Sequence, residues 1–184
     1  MTQIRDYPQP YVEYLIEFHG TRDYFECHEI MEEFWKENIE DEHRHIWLGL
    51  IQIAVGLYHH RTGNVNGALK MMSGALKQLS KMDASKLAID RESLLALISD
   101  RIAQLSATSI ENSVAYTDFD LPLTDEGLIR HCQSLCSERQ LHWCAPSDVN
   151  NRELIYRHTL RDRSDVIAAR HAAYQAKHSL EGSK

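Results

Sequence analysis

Residues 46–58 constrain this chain more than any other stretch. Trp47, Leu48, Leu50, Ile51, Ala54, Val55, Leu57 and Tyr58 point in nearly every direction around a helix, with Gly49, Gln52 and Gly56 as the interruptions. A helix that is apolar nearly all round has to be buried among others. It is too short to span a bilayer, so its partners must be further helices of the same chain. The composition agrees. Among 184 residues there are 8 Gly and 4 Pro, about half the usual share, which disfavours a turn-dense β-sandwich. With 43% hydrophobic and 26% charged residues the chain is no disordered polyampholyte.

The surrounding segments have the right periodicity to pack on that central helix. Gln9-Pro10 opens a first helix with Val12, Leu15, Ile16 and His19 on one stripe and Gly20 as its stop. Asp23 stands three residues before Glu26, a capping spacing that starts a second helix running to about Asn38. The third covers 43–61. Gly63-Asn64 supplies a stop and a new cap, and Val65, Leu69, Met72, Leu76 and Leu79 then form a seam for a neighbouring helix. Asp90 caps a fifth helix with Leu94, Ile98, Ile102 and Leu105 as its stripe. Residues 107–123 lose periodicity and end in Leu121-Pro122. Thr124 then caps a sixth helix carrying Leu128, Cys132, Leu135 and Cys136, and helical stretches follow over 148–160 and 165–178. The short links favour antiparallel neighbours. The expected architecture is all-α: an up-and-down antiparallel helical bundle over 1–110, an irregular linker over 111–123, and a helical C-terminal extension over 124–184.

Charge and cysteine content exclude several function classes. The formal charge is −7, and residues 1–60 alone carry 4 Lys/Arg against 12 Asp/Glu. No segment is basic enough for a nucleic-acid footprint. The C-terminal group Arg157, His158, Arg161, Arg163 and Arg170 reads as a solvated face against the acidic half. The first twenty residues lack a basic start and an apolar core, so no signal peptide is expected. Cys27, Cys132, Cys136 and Cys144 are too sparse for a disulfide framework, which points to the cytoplasm. Cys132, Cys136 and Cys144, with His131 and His142, hold enough soft ligands for zinc, but the first two share an apolar face and read as core thiols.

The chemistry-bearing residues cluster on the second and third helices. Phe25, His28, Glu29, Glu32 and Trp35 fall on one stripe, His28-Glu29-x-x-Glu32 being an HExxE pattern. His45, Gly49, Gln52, Gly56 and His59 or His60 recur along a narrow polar strip of the third helix. Each mid-helix glycine costs ~1 kcal/mol against alanine, so close approach of a helix or a ligand is expected there. Counting back from the turn near Asp41 sets Glu32 by Gln52 and His28 by Gly56 and His59, the two polar stripes facing each other.

The His28-Glu29-x-x-Glu32-x-x-Trp35 run, Leu48-Gly49-Leu50-Ile51-Gln52-Ile53-Ala54, Tyr58-His59, Gly63-Asn64 and Gly67-Ala68 together resemble the helical family called domain of unknown function 309. The resemblance covers residues 20–106. It implies an all-helical bundle without an established activity, and its hallmark positions fall on His28, Glu29, Glu32, Trp35, Gln52, His59 and Asn64.

Four chemistries compete for these residues. HExxE is one residue short of the zinc-peptidase signature, since Glu32 stands where a second histidine binds and no third ligand is evident. Glu40-x-x-His43 and Glu42-x-x-His45 have di-iron spacing, but they overlap in one acidic turn instead of lying on two helices. A buried His28/Glu32/Gln52/His59 network that sets helix register is the leading expectation. A ligand pocket using the same side chains is the rival. The expectation is therefore a cytoplasmic, non-enzymatic interaction or assembly module, the alternative a small-ligand-binding or metal-dependent enzyme. No metal, cofactor, nucleic acid or membrane is expected, and a homo-oligomer is compatible. On this reading His28 is mostly buried, with room around it for no more than one or two waters. An opening of ~300 Å³ reaching His28 and Glu32 would instead mark a ligand site.

Overall fold

The computed structural model describes residues 7–81, 83, 86–107 and 114–157. Its elements are α1 (Gln9–Ile16), a π turn (Glu17–Thr21), α2 (Tyr24–Glu37), α3 (Arg44–Arg61), α4 (Val65–Leu79), α5 (Arg91–Ser106), α6 (Glu126–Glu138) and the short α7 (Arg152–Ile155). The fold is all-α, and from α1 to α5 each helix packs antiparallel on the next. Among the described residues the extended pairing is a single bridge between Ile89 and Leu123. None of the described helices is long and apolar enough to cross a membrane. The sequence-predicted helix over 165–178 lies outside the described residues, as do His158, Arg161, Arg163 and Arg170.

The caps explain where the helices begin. Asp23 accepts from the Glu26 N–H, Asn64 from Gly67 and Asp90 from Ser93, each satisfying a donor that has no partner inside its helix. On α6 the cap is Asp125 rather than Thr124, its carboxylate taking the N–H groups of Gly127 and Leu128. Gly63 carries φ +80°, the left-handed turn that ends α3. Gly20 does not stop the first helix. The chain instead loosens into the π turn and reverses at Arg22, with φ 58°.

The central helix is α3, whose Ile46, Leu50, Ile53, Ala54 and Leu57 are fully buried. It packs on α2 and α4, and α1 reaches it through Tyr14, whose hydroxyl donates to the Leu50 carbonyl at 2.9 Å. α4 in turn packs on α5, and α1 on α6. The buried face of α4 comprises Ala68, Met72, Ala75 and Leu79. Leu69 and Leu76, expected in the seam, stand at its edge and are partly buried. The glycines of α3 explain that rotation. A methyl at Gly49 would lie 2.6 Å from the Leu79 side chain, and one at Gly56 would lie 2.9 Å from Met72. The bulky side chains of α4 occupy the space that the glycines leave.

Candidate functional site

α2 carries the HExxE residues on its outward flank. His28 Nδ1 lies 3.2 Å from a Glu29 carboxylate oxygen and Nε2 lies 3.6 Å from Glu32. The other Glu32 oxygen meets Lys36 Nζ at 3.2 Å. One donor atom from each of His28, Glu29 and Glu32 can be chosen so that all lie within 4.8 Å of one another. Their side chains are 26, 39 and 36% exposed, so water reaches the cluster. Trp35, one turn further on, packs under Arg44, whose guanidinium stands 3.9 Å from its ring centroid. It takes no part in the cluster.

The two polar stripes do not face each other. Gln52 turns toward α4, where a methyl at Gly74 would lie 2.7 Å from its amide nitrogen. Its Oε1 is buried without a protein hydrogen-bond partner among the described residues. Asn64 Nδ2 lies 3.1 Å from His59 Nδ1, and Gly67 lies against both side chains. The axial level predicted from the turn holds for His28 and His59, but the rotation does not hold for Gln52. Gly49, Gln52 and Gly56 share one strip, and the close approach of α4 claims it. The side of α3 next to α2 is roughly one residue step, about 100°, further round. There Trp47 meets Phe34 edge to face at 5.3 Å.

His28 and His59 do share a recess. With Tyr24, Phe25, Val55 and Tyr58 they line about 160 Å³ between α2 and α3. This exceeds the expected one or two waters and falls short of a cleft open to both His28 and Glu32, since Glu32 is not in its wall. Phe25 forms part of the wall, and Trp35 stands elsewhere.

A second polar assembly went unseen in the sequence. Asp118 accepts from Tyr24 at 2.6 Å, Tyr116 at 2.5 Å and the Ser147 hydroxyl at 2.6 Å, and from the Ser147 N–H at 2.7 Å. These donors hold its carboxyl below the usual range against the opposing effect of burial. Buried Arg22 pairs with Asp120 at 2.7 Å and donates to the Ala145 carbonyl at 2.8 Å. Arg101 is buried against His60, at 3.1 Å. His19 donates from Nδ1 to the Leu15 carbonyl at 3.0 Å and accepts at Nε2 from the Leu121 N–H at 3.0 Å, stacked on Trp143. Burial pushes its imidazole down to about 4. His19, Asp120 and Cys144 lie close enough to ligate an ion. Both His19 nitrogens are engaged, however, and Asp120 is held by Arg22, so these residues act as a clasp. The only sequence signal was the aromatic and acidic content of an otherwise aperiodic stretch. Cys132 and Cys136 are buried core thiols, as expected.

The comparisons with known proteins extend over both assemblies. The family described as Domain of unknown function (DUF309) matches residues 11–71, from α1 into α4. The chain is 42% identical over 166 residues to "Uncharacterized protein YpuF" of Bacillus subtilis (strain 168), covering 89% of this chain and 92% of that protein. No solved structure matches.

Proposed function

The chain belongs to the DUF309 family, and we propose, from the geometry of α2, that it is a binding module holding a divalent transition-metal ion on His28, Glu29 and Glu32. The observation that carries the reading is the convergence of three ligand-type side chains at a half-exposed spot. One ion takes a single imidazole nitrogen, and with one donor atom chosen from each residue the three lie within 4.8 Å of one another, close enough to converge on one ion. Glu29 supplies the third ligand that the sequence pattern lacked. Three protein ligands leave coordination positions open to water or a small molecule. The surrounding acidity of α2, with Glu33 and Glu37 nearby in sequence, favours a cation by its field. The ionic partners of His28 and Glu32 lie on α2 itself, so these side chains do not tie α2 to α3.

Calorimetric titration of the metal-free chain with Zn²⁺ tests the reading. One ion should bind per chain, with the affinity reduced at least about tenfold in His28→Ala and in Glu32→Gln. Lys36→Ala removes a competing cation from Glu32 and should strengthen binding about two- to threefold. Zinc binding that ignores His28 and Glu32 would locate the ion elsewhere among the 11 histidines, and the reading would fall.

A further inference from the structure

The recess beside the cluster has a ring-sized volume, and His28 forms part of its wall while also belonging to the ligand set. Tyr24, Phe25, Val55 and Tyr58 make its lining mostly apolar, and His59 is its other polar side chain. An apolar cavity of about 150 Å³ is enough to hold one benzene ring, so the 160 Å³ here fits a group of that size and little more. A molecule that places a ring there lies against His28, which is also a member of the ligand set. If a divalent ion sits on His28, Glu29 and Glu32, its open positions favour an anionic oxygen donor.

We propose that the recess between α2 and α3 is the specificity pocket for a small organic acid whose acid head coordinates the ion and whose ring-sized apolar tail fills the space between Phe25, Val55 and Tyr58. The head and tail requirements come from different residues. The head depends on His28, Glu29 and Glu32, and so on the metal reading above. The tail depends on volume, which Val55 controls from α3. No covalent bond of the acid is made or broken; one metal–oxygen coordinate bond, to water, is exchanged for another, to the acid. The acid replaces water on the ion, and its tail displaces water from an apolar wall, which supplies the preference for a ring over a methyl group.

The experiment titrates the zinc-loaded chain with benzohydroxamate and with acetohydroxamate, which share a chelating head and differ in the tail. Benzohydroxamate should bind about tenfold tighter or better. Val55→Phe should abolish that preference while leaving the zinc affinity of the chain unchanged. Val55→Ala, which adds space instead of filling it, should keep the preference, and it guards against a Val55→Phe protein that fails to fold. Equal affinity for the two hydroxamates, or a preference that survives Val55→Phe in a folded protein, overturns the pocket while the metal reading stands. Absence of zinc binding in the unmodified chain removes both.

Discussion

One helical turn separates two polar assemblies built on different physical terms. Tyr24, at the start of α2, sends its hydroxyl to Asp118, a residue far along the chain and tied in turn to Tyr116 and Ser147. His28 and Glu32 find their charged partners on α2 itself, at its surface, with Lys36 in the same row. In the first assembly water is largely replaced by protein donors, so each group depends on the others. In the second, water remains a competitor, and surface ion pairs of that kind contribute ~0–1 kcal/mol. A polar assembly tied between distant parts of the chain therefore holds the fold together, whereas one confined to a single helix is free to serve binding.

The difference can be tested most severely at Asp118. Asp118→Ala removes the acceptor shared by the hydroxyls of Tyr24 and Tyr116 and by both donors of Ser147, leaving Tyr116 only the Tyr24 hydroxyl at 3.1 Å. It should destabilise by about 3–5 kcal/mol in urea unfolding. A loss below 1 kcal/mol would show that water substitutes for the carboxylate.

Acid should loosen the same region next. His19 is neutral when folded, with its pKa pushed down by burial to about 4, whereas an unfolded histidine titrates near ~6.5. Between those values the unfolded chain binds a proton that the folded chain refuses, so stability falls as pH drops through that window. The limit is about 3 kcal/mol for this group. Burial shifts His60 in the same direction. The Glu17 carboxyl, raised by burial, works oppositely and offsets part of the loss. His19→Gln should be less stable at neutral pH but show a flatter slope between pH 7 and 4. An unchanged slope would remove His19 as its source.

The glycine strip of α3 gives an intermediate effect. Gly49→Ala puts a methyl 2.6 Å from the Leu79 side chain. The strain of forcing α3 and α4 apart should exceed the ~1 kcal/mol gained in helix propensity, leaving a net loss of about 1–2 kcal/mol. A stabilised variant would mean that Leu79 moves aside without cost.

The smallest effect on folding belongs to Glu32. Its exposure and same-helix partners predict that Glu32→Gln changes stability by less than about 0.5 kcal/mol while weakening zinc binding. A loss of 1–3 kcal/mol would restore the buried-network expectation and erase the contrast between the two assemblies.

Local physics was enough for the principal helices and for the starts of α2, α4 and α5. Asp23, Asn64 and Asp90 cap their own helices within three residues, and the apolar circumference of α3 requires a central position whatever surrounds it. The HExxE residues were visible as well, because helical spacing brings His28 and Glu32 together without help from the rest of the chain. Only the tertiary structure decided which neighbour each face meets. Gln52 turns to α4 because α4 competes with α2 for α3, and its Leu79 and Met72 fit against Gly49 and Gly56. That choice depends on packing between helices, which periodicity does not encode. The Asp118 assembly was hidden for a related reason. Its partners are 94 residues apart at Tyr24 and 29 apart at Ser147, and they meet only because the returning chain lies over α2. A hydrogen bond of that span leaves no local pattern in sequence, and it forms only once the fold brings its partners together.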